Sequence, residues 1–184
     1  MGFHTFPVDR ADALEDPSRY RFCSREELLE MLDPDPNGVV ADLGSGTGFY
    51  TREVAPFAGL VYAVDVQAEM HDYHRDVGVP GNVELVVAGV DSIPFDDDQL
   101  DGAFSTMTHH EFGSEETMAE LARVLRPGGR LVTVDWSSTG AGVDGPPVDE
   151  RFGPDEVAVQ LDDAGFAVEC VRERPETLAV VASR

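Results

Sequence analysis

The sequence predicts an α/β protein: a doubly wound, mostly parallel sheet with helices on both faces and an antiparallel hairpin strand at the C-terminal end. Three observations predict it. Apolar strand-like runs alternate with helical patterns from about residue 39 onward, which is how parallel sheets are built. Those runs are continuously apolar, as burial on both faces requires. The tail "FAVECVRERPETLAVVASR" reads as two strands meeting around Arg174–Glu176.

The elements follow in order. Residues 1–23 are polar and weakly periodic. "SREELLEML" starts a helix, with Ser24 as N-cap and Glu27 three residues on as a capping box. "DPDPNG" at 33–38 ends it. Val39–Leu43 is a strand and 48–57 a helix. "LVYAVD" at 60–65 is a strand, "AEMHDYHRDV" a helix, "VELVVA" at 83–88 a strand, and "DGAFSTM" at 101–107 a weaker one. "SEETMAELARVL" at 114–125 has helical spacing and is expected to stop at Pro127-Gly128-Gly129, before the strand "RLVTVDW" at 130–136. Pro154 suits the first turn of a helix ending near Gly165. The stretch 138–153 is long and irregular, the kind of loop that serves as a lid.

The chain has 184 residues, 42% hydrophobic, enough for one domain with its own core. No run is long enough to span a membrane, and the N-terminus lacks the basic start and apolar stretch of a secretion signal; a cytoplasmic protein is expected. Cys23 and Cys170 are far apart, and no Cys/His spacing suggests a metal site. The formal charge is −23, and each of the 13 basic residues is arginine. Such a surface repels phosphate backbones, so nucleic acid is not an expected partner. Acidic residues are spread along the whole chain, which points to adaptation to a salt-rich cytoplasm.

Function enters with "VVADLGSGTGFYT", Val39–Thr51. Gly44, Gly46 and Gly48 follow the first strand of the alternating region. In open α/β sheets, ligands bind there, beyond the carboxyl ends of the strands. Missing side chains let the backbone turn tightly and approach a ligand. A dinucleotide fingerprint would need a third glycine at position 49, which is Phe49. Asp42, just before the loop, is unfavourable to a pyrophosphate and suits a ligand with a positive end. Asp65 ends the second strand, where a carboxylate accepts ribose hydroxyls or simply caps the next helix. Together these residues point to a ribosyl amino acid.

From about residue 36 onward the chain closely resembles the class I S-adenosylmethionine-dependent methyltransferases. "VADLGSGTG" resembles that family's first motif and "VYAVDVQAEM" its second. "VVAGVDSIPFDDDQLDGAFSTMTHHEF" resembles the adenine loop and fourth strand, and "LARVLRPGGRLVTVDW" the helix, Pro-Gly-Gly turn and fifth strand. The resemblance implies a Rossmann-like, seven-stranded sheet in one domain over 1–184, with a cofactor-binding core at 36–184 and a cap segment at 1–35. It implies that Asp42, Gly44, Ser45, Gly46 and Gly48 surround the methionine part of S-adenosylmethionine. Asp65 would take the ribose, and Val66 and Met70 would flank the adenine. Val90 offers its amide and Asp91 its carboxylate to the adenine edge, and Thr106 lies beside the methionine amino group. Many members carry an acidic residue where this chain has Gly89, which leaves the adenine contact to Asp91 or to backbone alone.

Methyl transfer needs an aligned acceptor and sometimes a base. "THHEF" after the fourth strand puts His110 and Glu111 at the ligand-bearing edge, and Asp135 and Trp136 end the fifth strand there. His110, Glu111 and Asp135 are the candidate catalytic residues. His109 is expected to pack. A metal held by His109, His110 and Glu111 is disfavoured, because neighbours on an extended segment point apart. The cap, with "FHTF", His4 and "SRYRFC", either covers the cofactor or packs on the sheet. The expected acceptor is a small molecule. The rival readings are a non-catalytic cofactor-binding module and a nicotinamide-dependent oxidoreductase, the latter opposed by Phe49 and Asp42.

The charge yields a prediction. Self-repulsion at −23 is strongly screened in molar salt but reaches about 10 Å at 0.1 M. The melting temperature is expected to fall when potassium chloride is lowered from molar to about 0.1 M. Superimposable thermal melts at the two concentrations would contradict the salt-adapted reading.

Overall fold

The computed structural model describes residues 5–184; Phe3 and His4 of the expected cap lie outside them. Two stretches of 3-10 helix, Val8–Glu15 and Pro17–Arg21, precede α1 (Arg25–Leu32). Ser24 Oγ accepts from the Glu27 amide at 3.1 Å, satisfying one of the donors that a helix start leaves open. The alternating region then runs β1 (Val39–Leu43), α2 (Phe49–Val54), β2 (Leu60–Asp65), α3 (Ala68–Val77), β3 (Val83–Val87) and β4 (Leu100–Thr106). It continues through α4 (His109–Phe112), α5 (Glu115–Val124), β5 (Leu125–Trp136), α6 (Pro154–Asp163), β6 (Ala167–Glu173) and β7 (Thr177–Ser183).

The seven strands lie in the order β3-β2-β1-β4-β5-β7-β6. All neighbours are parallel except β7, which runs antiparallel to both β5 and β6. The fold is thus the Rossmann-like α/β sheet expected, with its hairpin at the end. The strand order reverses between β1 and β4, so the loops leaving these two strands part and open a crevice.

Alternation along β1 divides the core. Ala41 and Leu43 join a cluster with Met118, Leu121 and Val124 of α5 and Val157 and Leu161 of α6. Val40 joins a second cluster with Leu28, Met31 and Leu32 of α1 and Tyr50 and Val54 of α2. Both faces are dry, which explains the continuous apolar runs.

Two elements differ from expectation. The Pro-Gly-Gly turn does not precede the fifth strand but lies inside β5, which pairs Leu125 with Leu100 and then, after a register shift, Arg130 with Gly102. Gly128 adopts φ 77°, and its amide donates to the Arg184 carbonyl at 2.6 Å. The chain's last residue supplies the ladder partner that sequence alone does not show. "HHEF" is a helical turn, not an extended segment. The turn follows Met107, whose φ of 63° re-aims the chain at the end of β4 at a cost typical of strained site residues.

The glycine loop is confined from two sides. Gly44 and Gly48 both have positive φ, 72° and 80°. A Cβ on Gly44 would lie 2.7 Å from Thr108 Oγ1, and one on Gly48 would overlap the His74 ring. Gly48→Ala is therefore expected to cost about 2–4 kcal/mol, part from left-handed backbone and part from the collision. In a His74→Ala background the same change should cost only about 1–2 kcal/mol. Chemical denaturation of the four proteins of this cycle measures it, and equal costs in both backgrounds would show that His74 does not enforce the glycine.

Candidate active site

The loop after β1 turns back over β2. The Gly44 and Ser45 amides both donate to the Val64 carbonyl at 2.9 Å. The Asp65 carboxylate accepts from the Gly46 amide at 2.7 Å and the Gln67 amide at 2.9 Å. One carboxylate thus ties the glycine loop to the start of α3. Burial raises the Asp65 pKa above its ordinary value, opposed by these two amides; each oxygen keeps capacity to accept from a ligand hydroxyl.

These segments line a cavity of about 900 Å³ at the carboxyl edge of the sheet, at the large end for small-molecule sites. Of the expected cofactor residues, Gly44, Ser45, Gly46, Asp65, Val66, Met70, Val90, Asp91 and Thr106 all line it. Asp42 and Gly48 stand behind the wall. Asp42 is buried and its Oδ2 accepts from Thr51 Oγ1 at 2.5 Å. Burial pushes its carboxyl up to about 7.

His110, Glu111 and Trp136 line the same cavity, with Asp135 behind His110. Asp135 Oδ2 accepts the His110 amide at 2.6 Å, and both carboxylate oxygens lie 3.0 Å from His110 Nδ1. A buried carboxylate at Nδ1 favours the tautomer with its proton there, leaving Nε2 as acceptor. Nε2 lies 3.9 Å from a Glu111 oxygen. Burial by itself would lower the His110 pKa, but the hydrogen bond and charge of Asp135, helped by Glu111, raise it. Burial pushes Glu111 up to about 7. His109 turns away from this group: it is buried and 3.1 Å from Gln160 Oε1. Among the described residues, no group of His, Cys, Asp and Glu could hold a metal ion.

The roof comes from the two segments that the sequence set apart, the expected cap and the irregular 138–153 loop. Phe6, Leu14, Arg19 and Phe22 of the N-terminal segment and Pro146 and Pro147 of the 138–153 loop also line the cavity. Phe22 packs edge-on to Trp136, ring centroids 4.7 Å apart. Arg21 meets Asp144 at 3.1 Å, joining the two roof segments. Arg151 fixes the loop from beneath, donating from Nε to the Pro146 carbonyl at 2.8 Å. The Phe22–Trp136 and Arg21–Asp144 pairings join segments more than a hundred residues apart, which the sequence alone does not show.

The comparisons with known proteins agree with this geometry. The Methyltransferase domain family model matches residues 41–133. A crystal structure of an S-adenosylmethionine-dependent methyltransferase from Aquifex aeolicus superposes with a TM-score of 0.84 at 32% identity, over 96% of this chain and 98% of that one. The chain belongs to the S-adenosylmethionine-dependent methyltransferases. An uncharacterized methyltransferase-like protein of Schizosaccharomyces pombe is 33% identical over 73% of this chain and 52% of its own length. A demethylmenaquinone methyltransferase of Corynebacterium kroppenstedtii is 34% identical over 62% of this chain and 48% of its own length. The chain thus spans about half the length of these two relatives. It is an enzyme of methyl transfer, and its cofactor is S-adenosylmethionine.

The residues present fit that cofactor. Asp42 Oδ1 and Ser45 Oγ are buried without a hydrogen-bond partner among the described residues, an arrangement that is costly unless a ligand supplies donors. Beside Gly46 a side chain would meet only Leu14, at 3.3 Å. Gly46→Val would fill that space and force a β-branched residue to φ 53°. It is expected to abolish the melting-temperature rise that S-adenosylhomocysteine gives the wild type. Undiminished calorimetric binding by the variant would refute the placement of the ligand over Gly46.

Proposed function

We propose that this methyltransferase acts on a small, largely apolar acceptor that gives up a proton during transfer, and that His110, positioned by Asp135, takes that proton. The observation that carries this reading is the Asp135–His110 pair, with contacts of 3.0 Å to Nδ1, in a cavity whose wall also carries Phe22, Met107, Trp136, Pro146 and Pro147.

When bound, S-adenosylmethionine supplies an activated methyl group. In this reading Gly44, Ser45 and Gly46 receive its methionine part and Asp65 its ribose. Val66, Met70, Val90 and Asp91 form the adenine wall, and Thr106 with Asp42 behind it serves the amino group. Asp135 sets the His110 tautomer and stabilises the imidazolium once a proton arrives at Nε2. Glu111, poised near neutrality, relays or shares that proton. The aromatic and proline roof excludes water and holds a planar group flat, which suits an acceptor such as the quinone named for the Corynebacterium relative. Residues 5–23 act as the cap over the cofactor.

His110→Ala is expected to lower turnover at least about a hundredfold, the usual reach of a general base, while S-adenosylhomocysteine affinity stays within about twofold. A base works only when deprotonated. The wild-type rate should therefore fall as pH drops through a value above the ordinary histidine pKa of 6.5, since Asp135 raises it, and that limb should vanish in the variant. The assay is transfer of labelled methyl groups to cell extract in molar salt, with identification of the product. A folded His110→Ala protein of unchanged turnover would remove the residue from the mechanism.

A further inference from the structure

The cavity wall carries two cations outside every recognised motif, Arg10 and Arg19. Arg10 is exposed at the rim and Arg19 is half-buried. The Arg19 guanidinium lies 5.2 Å from the ring centroids of both Phe49 and Tyr50, the two residues that follow the glycine loop. Its Nη1 donates to the Leu14 carbonyl at 2.7 Å, and Leu14 is the side chain opposite Gly46.

Arginine has five donors and always carries its charge. Here the guanidinium has that one hydrogen bond and no ion pair among the described residues. Glu15, the nearest acidic residue on its own segment, is taken by Arg52 at 2.5 Å and by Thr47 Oγ1 at 2.5 Å. Burial lowers the Arg19 pKa, with Tyr50, Asp42 and Glu15 opposing. A half-buried guanidinium that lies over two aromatic faces and lacks an anionic partner has donors free for a carboxylate. Across the loop lie the unpartnered Asp42 Oδ1 and Ser45 Oγ. One end of the cavity therefore presents an unpaired cation and the unsatisfied Ser45 hydroxyl, with the Asp42 carboxylate behind the wall, a charge pattern complementary to an α-amino acid zwitterion.

We propose that Arg19 binds the α-carboxylate at the amino-acid end of the cofactor. The cap then recognises the cofactor itself, and its closure depends on that carboxylate. The proposal rests on the cofactor assignment above and adds a residue that no motif contains.

Calorimetry with two probes tests it. S-adenosylhomocysteine carries the amino-acid end; 5′-methylthioadenosine has the same nucleoside and sulfur without it. Arg19→Met is expected to weaken S-adenosylhomocysteine about ten- to a hundredfold, the size of a hydrogen-bonded charge contact, and to leave 5′-methylthioadenosine within about twofold. Arg19→Gln, which keeps a donor for Leu14 but not the charge, should behave alike. Arg19→Lys should recover part of the loss. Arg10→Met should change neither probe. Equal loss of both probes in Arg19→Met and Arg19→Gln would reduce Arg19 to a structural role in the cap, and undiminished S-adenosylhomocysteine binding would overturn the proposal outright. If the wild type bound neither probe in molar salt, the cofactor assignment itself would fail. Melting temperatures of the unliganded variants separate misfolding from lost recognition.

Discussion

The site depends on a close approach of backbone to side chain. The loop after β1 passes between Thr108, from the end of β4, and His74, from α3, with no room for a Cβ at Gly44 or Gly48. Thr108 Oγ1 also donates to the Leu43 carbonyl at 3.0 Å, so the exits of β1 and β4 are stitched together at the point where strand order reverses. The crevice there cannot widen without breaking that bond. Asp65 holds the opposite side of the loop through two backbone amides. The cavity's floor is therefore rigid, while its roof is made of segments joined by an exposed ion pair and an aromatic edge contact.

The charges follow the same division. On the surface, acidic residues are many and solvated. At the cavity burial matters instead: it pushes Glu111 in the wall and Asp42 behind it up to about 7. A carboxyl whose folded value exceeds its unfolded one favours the fold most below the unfolded value, and loses that contribution as pH rises towards 7. Each of these two carboxyls is thus strained when ionised at neutral pH. In the proposed reading, the positive end of the cofactor relieves part of that strain at Asp42.

Much of this was legible in the chain. α3, β6 and β7 are marked locally by turn residues and period, and they fall where the pattern put them. The glycine loop and Asp65 were legible because backbone conformation and strand ends constrain residue type so tightly. Four features were not. The Pro-Gly-Gly segment pairs with the C-terminal residue, a contact with no local trace. The helical turn at His109–Phe112 depends on a left-handed Met107, which residue identity disfavours. Asp42 reads as a ligand contact, yet strand alternation turns it towards α2 and behind the wall. Arg19 could not be told from any other arginine until the cap was seen folded over the loop.

The chain contains a single tryptophan, and the fold spends it on the cavity wall. Trp136 is wedged between the Phe22 edge and the Arg151 guanidinium, 5.5 Å from its ring centroid, and Gly145 leaves no gap against it. Excited selectively at the red edge of the aromatic band, the whole protein emits from one place. Its intrinsic fluorescence is thus a local signal, sensitive to the meeting of roof and wall and silent about the far sheet. The molecule carries its own optical gauge of that closure, with no label needed.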